Sequence, residues 1–294
     1  MRVNPNVMPD LLAALEQSQE QQQNALLELA SSRRINQPSD DPGGAALLAQ
    51  IRDQSSLADS FLRSAGSVSG QLQMADSALS SVVETLQRAI SLGIEGGTST
   101  ASDSDRAAIA NEVSGLRDQM VSLANLSYQG RYVFAGTAVA QPFVLDPNVA
   151  SGIRYTGNAG VNSVEIGNGF RVQVNQPGSE IFNAAGADVF QAIQDLSTAL
   201  QTNTGIDNAV IAVRKAFDCV TQKRVFYGNS IQQIESQKNY LNSAKLQLGQ
   251  QENTVAAADM MAVASHLINA QNARNATLAA IGKTSQLSLF DYLR

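Results

Sequence analysis

The chain has no tryptophan, a single cysteine (Cys219) and a single histidine (His266) in 294 residues. One cysteine excludes an internal disulfide framework. With one Cys and one His, a zinc site or a Cys/His nucleophile within one chain has almost no raw material. Aromatics make up only 5% of residues, so few bulky side chains are on hand to anchor a core. The net charge is −6 and no run of Lys and Arg exceeds two residues, as in Arg33-Arg34. A nucleic-acid partner requires a basic surface against phosphates and is therefore not expected. No stretch approaches the ~20 apolar residues of a membrane span, so no membrane insertion is expected either. The first residues, Met1 to Asn6, lack the apolar run and small-residue cleavage site of a secretory leader. Export, if it occurs, is expected by another route.

The apolar residues present are mainly Ala, Leu, Val and Ile, and they fall at helical spacing. From Leu47, steps of four and three pass through Ile51, Gln54, Ala58, Phe61, Ala65, Val68, Leu72, Ala75, Leu79, Val82, Leu86 and Ala89. That regularity predicts a coiled-coil seam on a helix over about 44–92, ~70 Å long at 1.5 Å per residue. Leu12, Leu15, Gln19, Gln22, Leu26 and Leu29 carry the same spacing upstream, diluted by glutamine. Ile109, Val113, Leu116, Met120 and Leu123 carry it downstream, after a turn at 96–100. Ser102 with Asp105 predicts a capping box for that helix.

Between Tyr132 and Phe182 the pattern changes to short β-rich pieces punctuated by Gly, Pro and Asn. Phe143–Leu145, Ile153–Tyr155, Val164–Ile166 and Phe170–Val174 read as strands, the last two joined by a hairpin at Gly167-Asn168-Gly169. Helical spacing returns at Val189, Ile193, Leu196 and Leu200. It continues through Val210, Val213, Phe217, Val220, Ile231, Ile234, Tyr240, Leu241 and Leu248, and ends with Met260, Ala264, Leu267, Gln271, Leu278 and Ile281. The predicted fold is mainly α, with long coiled-coil helices from the N- and C-terminal regions packed together and a small β-rich inserted domain. The expected division is an N-terminal assembly segment (1–43), helical core (44–131), β-rich insertion (132–185), the rest of the helical core (186–265) and a C-terminal assembly segment (266–294).

Chemistry has little to stand on. Asp40 and Asp41 follow Ser39 at a helix start, where carboxylates meet free N–H groups, and Ser39 reads as the cap. Asp103-Ser104-Asp105 lacks the glycine and distal glutamate of a calcium loop. His266 reads as a packed or surface residue and Cys219 as a small buried hydrophobe. No phosphate loop or nucleophile elbow is present. The chain is read as a structural protein and not an enzyme, with no catalytic, cofactor-binding or metal residues and no cofactor.

Several strings resemble the flagellin superfamily of axial proteins. They are Ser31-Ser32-Arg33-Arg34-Ile35-Asn36 followed by Pro38-Ser39-Asp40-Asp41-Pro42; the run Asn125 to Thr137; Tyr155-Thr156-Gly157-Asn158; and the closing Ser285 to Arg294. Where the superfamily often carries an acidic pair before its last helix, Glu252 stands apart from Asp259. The Pro-Ser-Asp-Asp-Pro string and the small insertion resemble the junction subunits more than the filament subunit. The resemblance implies a secreted, extracellular adaptor at the hook–filament junction, forming a ring with copies of itself. Its implied partners are the hook-side junction protein, flagellin, the type III flagellar export apparatus and an export chaperone. The alternatives are flagellin itself, or a secreted coiled-coil binding or scaffold protein. Polymerisation is expected through the apolar residues of the two ends: Leu12, Leu15, Leu26, Leu29, Leu267, Leu278, Ile281, Leu287, Leu289, Phe290 and Leu293.

Overall fold

The computed structural model describes residues 8–292, and the side chains of residues 8–284. In chain order the elements are α1 (Met8–Ser31), α2 (Pro42–Gly96), α3 (Asp103–Ala124), β1 (Ser127–Tyr128), β2 (Arg131–Tyr132), β3 (Phe143–Leu145), β4 (Ile153–Tyr155), β5 (Ser163–Gly167), β6 (Phe170–Gln173), α4 (Gly178–Ile181), β7 (Asn183–Ala184), β8 (Ala187–Asp188), α5 (Val189–Thr202), α6 (Ile206–Ala256) and α7 (Met260–Tyr292). The molecule is 70% helical with long packed helices, and among the described residues the strands form small antiparallel pairs: β1–β2, β3–β4, β5–β6 and β7–β8. Two compact units result, one from the chain ends (to Leu57 and from Ser243) and one from Ala58–Asn242.

In the larger unit the seam of α2 buries Ala65, Val68, Leu72, Ala75, Leu79, Val82, Leu86 and Ala89, each 5% exposed or less. Steps of three and four keep these residues on one face of the helix. They share one core with Val113 and Met120 of α3, Ile193, Leu196 and Leu200 of α5, and Val213, Val220 and Ile234 of α6. The chain leaves α2 at Gly96 and re-enters a helix through the expected capping box. The Asp105 amide donates to Ser102 Oγ at 3.1 Å, and the Ser102 amide donates to the Asp105 carboxylate at 3.1 Å. Polar ties cross the helices as well. Arg88 pairs with Glu112, Arg224 with Asp76, and Ser197 Oγ donates to the Ala110 carbonyl.

The expected strands appear where the alternating pieces stood. Phe143 pairs with Tyr155, and Val164 with Val172, while β5 carries a bulge between Glu165 and Gly167. These strands hold no core of their own. Phe143, Ile153, Ile166 and Val172 belong to the same buried cluster as the helices. Phe143 packs against Phe182 and Phe190, each at 5.3 Å between ring centroids, and Phe134 meets Phe182 edge-on at the same spacing. The few aromatics in the sequence are therefore concentrated where strands too short to bury much surface need bulk.

Some local expectations shift. Leu47 is exposed, and its neighbour Leu48 is the buried residue at that turn. Asp41, not Ser39, caps α2: its Oδ1 accepts the Gly44 amide at 2.9 Å. Pro42 then occupies the first helical position, where it gives up no hydrogen bond. Cys219 is half-buried rather than fully enclosed.

Candidate assembly surface

The unit made by the chain ends contains all of the described residues predicted to mediate assembly. Here α1 packs against α7. The face of α1 turned inward is thin: Leu11 and Leu15 are half-buried, Ser18 and Ala25 are buried, and Gln22 lies between them. Gln22 accepts a hydrogen bond from Arg274 of α7 at 3.3 Å. On α7 the matching residues are Val263 and Ala270, buried, with Leu267 half-buried. Small and polar side chains in a helix–helix seam bury little apolar area, so the pair gains modestly from its own packing.

Both helices also leave large apolar side chains outside. Leu12 is 49% exposed, and Leu26, Leu27 and Leu29 stand out on the same helix. On α7, Met260, Met261, Ile268 and Leu278 are exposed. Among the predicted residues, then, Leu12, Leu26, Leu29 and Leu278 lie on the open surface, whereas Leu15, Leu267 and Ile281 are half-buried. Leu287, Leu289 and Phe290 lie outside the described side chains, and Leu293 lies outside the described residues.

The links between helices hold this unit in register. Chain 32–34, leaving α1, runs antiparallel to chain 256–258, which joins α6 to α7. The Arg34 amide donates to the Ala256 carbonyl at 2.7 Å, and the Ala258 amide to the Ser32 carbonyl at 3.2 Å. Around them Glu252 meets Arg52 at 3.0 Å and Arg33 at 3.7 Å, and Arg34 meets Asp41 at 3.1 Å. Asp40 turns the other way and accepts the amides of Asn36 and Gln37 at 2.9 and 2.8 Å. Ile35, Leu48 and Ala256 form a small buried cluster beneath. A Cβ at Gly44 would come 2.5 Å from Ile35 Cδ1 and 2.6 Å from Asp41 Oδ2, so any larger residue would have to displace both side chains. The Gly44 amide, together with the Arg34 guanidinium, holds the Asp41 carboxyl below the usual carboxylate range.

The sequence pattern singled out the leucines and the acidic pair as candidates, but not the tie between the two links. Its only trace was Glu252, the acid standing apart from its expected place. Among the described residues no group of three or more His, Cys, Asp and Glu side chains could hold a metal ion. No described helix is long and apolar enough to cross a membrane. His266 is exposed on α7, in a shallow groove with Glu28 and Asn24 of α1.

Long packed helices with only small strand pairs among the described residues are a fold shared with solved flagellar hook-associated proteins. Residues 4–139 match the family described as bacterial flagellin N-terminal helical region. The chain is also similar, over 90% of its length, to flagellar hook-associated protein 3. It is 25% identical to that protein from Escherichia coli over 90% of both chains, and 27% identical to the Salmonella typhimurium protein over 73% of this chain and 67% of the other. Flagellin D of Vibrio anguillarum is 25% identical over 87% of this chain and 67% of its own. Among solved structures, FlgL of Xanthomonas campestris superposes with a TM-score of 0.60 at 21% identity, over 68% of this chain and 98% of that one. The flagellar junction protein FlgL of Legionella pneumophila gives 0.62 at 14% identity, over 72% and 100%. At these identities the structural matches establish the shared fold.

Proposed function

We infer that the chain is a structural subunit of the bacterial flagellum, an adaptor at the hook–filament junction. The observation that carries this reading is the likeness to hook-associated protein 3 over 90% of both chains. The open leucines of α1 and the exposed Met260, Met261, Ile268 and Leu278 of α7 support polymerisation through both ends, because large apolar side chains left in water are available for burial against a partner. In this reading copies of the chain form a ring outside the cell between the hook-side junction protein and flagellin. They arrive through the type III flagellar export apparatus, with an export chaperone covering the apolar ends beforehand. The work is mechanical and needs no cofactor.

Deletion of the gene followed by electron microscopy tests this. Cells should carry hooks without filaments and release flagellin monomers into the medium. Filaments attached normally in the deletion strain would overturn the reading.

A further inference from the structure

The run Asn125 to Thr137 contributes several residues to packing, but not all of them. Asn125 and Phe134 build the core, whereas the β1–β2 hairpin between them exposes side chains with no internal task. Its tip is strained: Gln129 has φ 49° and is not glycine. Beside it lies a cleft of about 390 Å³, walled by α2 on one side and the start of β5 on the other. Tyr128, Arg131, Tyr132, Gln71, Ser67 and Ser163 face it. Tyr128 lies flat along α2 because Gly70 makes room: a Cβ there would sit 2.6 Å from the tyrosine hydroxyl.

The chemistry of this cleft is one-sided. Arg131 is exposed and has no ion-pair partner among the described residues. No Asp or Glu lines the cleft, although the chain carries 26 acidic residues. The other polar side chains lining the cleft are hydroxyls and amides, and all of them can donate hydrogen bonds. Such a site suits a carboxylate, which accepts two parallel bonds from arginine and further bonds from neutral donors.

The smaller unit carries the complementary feature. Helix α1 contains Asp10, Glu16, Glu20 and Glu28 and no lysine or arginine. Glu16 and Glu20 are exposed, and neither has an ion-pair partner among the described residues. They stand four residues apart on one face, an arrangement that repels and weakens a helix unless a cation answers it. Leu12 continues that face one turn earlier.

We propose that the cleft at Arg131 receives the Glu16–Glu20 face of α1 from a second copy of this chain. This rests on the self-assembling role inferred above and names the contact that would join neighbouring copies. A guanidinium seated between two carboxylates one helical turn apart would fix the register between copies. It would also make association depend on salt, because exposed charge pairs are screened.

Mixed cross-linking of full-length chains tests the contact. In a Cys219→Ser background, one chain carries Gln129→Cys at the hairpin tip and the other Gln17→Cys beside Glu16. Oxidation of the concentrated mixture should give a disulfide-linked heterodimer, read by mass spectrometry. A chain with Gln87→Cys on exposed α2 surface in place of Gln129→Cys should not give it. Arg131→Glu on the first chain should lower the yield by about tenfold, and Glu16→Lys with Glu20→Lys on the second should restore it. Arg131 is exposed, and circular dichroism checks that its variant is folded. A yield no greater than that of the Gln87→Cys control, or one unmoved by Arg131→Glu, would overturn the proposal. Because purified chains are used, the result does not depend on whether filaments attach in the deletion strain.

Discussion

The side-chain amide of Asn125 pairs with both backbone groups of Phe143. Its Nδ2 donates to the Phe143 carbonyl at 2.9 Å and its Oδ1 accepts the Phe143 amide at 2.9 Å. One residue after α3 thus acts as an extra strand edge for β3 and places the fully buried Phe143 ring among Phe182 and Phe190. Asn125→Asp keeps the shape but removes the donor, leaving a carbonyl opposite a carboxylate. It should cost about 1–3 kcal/mol in urea unfolding. Phe143→Ala should cost about 3–5 kcal/mol. Full stability of either variant would show that the short strands are not pinned to the helices in this way.

Arg224 of α6 grips Asp76 of α2 through two hydrogen bonds, at 2.7 and 3.1 Å. Both side chains are partly exposed, so solvent weakens the pair. A double-mutant cycle with Asp76→Asn and Arg224→Gln should return a coupling of up to about 1 kcal/mol. Raising salt should shrink it. Strict additivity of the two changes would mean the contact contributes nothing to stability.

Leu79 sits mid-seam with no exposure. Leu79→Ala should destabilise by about 2–5 kcal/mol, whereas Gln87→Ala, on the exposed face of the same helix, should stay within about 0.5 kcal/mol. Equal thermal shifts for the two would refute the seam assignment.

Asp41, Asp105 and Asp146 all titrate below their usual value of 3.8, held by the amides of Gly44 and Asn148 and, for Asp105, by the Ser102 hydroxyl. A carboxylate whose folded pKa is depressed stabilises the fold fully above its unfolded value. That contribution is lost as pH falls through the lower folded value. Thermal midpoints should therefore hold steady down to about pH 5 and drop below about pH 4. Replacing Asp41 and Asp105 by Asn should flatten that acid limb. A limb of unchanged steepness would assign acid sensitivity to other groups.

Leu12, Leu26 and Leu29 are exposed on α1, and their replacement by Gln should alter stability by less than about 0.5 kcal/mol each. Incorporation into flagella, scored by swimming and by immunolabelling of hook tips, should be lost in the triple variant. Normal swimming would remove these leucines from the assembly surface.

The parts of the fold that were legible in the sequence are those in which one periodic pattern has one solution. The α2 seam repeats without a polar break from Ala58 to Ala89, so its register followed directly. The capping box and strands β3 to β6 were likewise local. Helix α1 was harder, because Leu11, Leu12, Leu15, Leu26, Leu27 and Leu29 occupy more than one face. The buried path through Ser18, Gln22 and Ala25 is chosen by α7, which local spacing cannot register. Asp41 and Ser39 compete for the same capping role, and only the backbone path decides between them. Arg52 and Glu252 lie 200 residues apart, so nothing local could pair them. Arg131 was visible only as one letter in a longer string. That no Asp or Glu lines its cleft emerges only in three dimensions.

The backbone tie between residues 32–34 and 256–258 has a mechanical meaning. Because the Arg34 and Ala258 amides bond across from one link to the other, neither terminal helix hangs from its own neighbour alone. A pull along α1 reaches α2 through the chain and α6 through the cross-bonds, and a pull along α7 divides in the same way. Tension at either end of the polypeptide is thus shared by two long helices, and those hydrogen bonds are loaded together before either link can straighten.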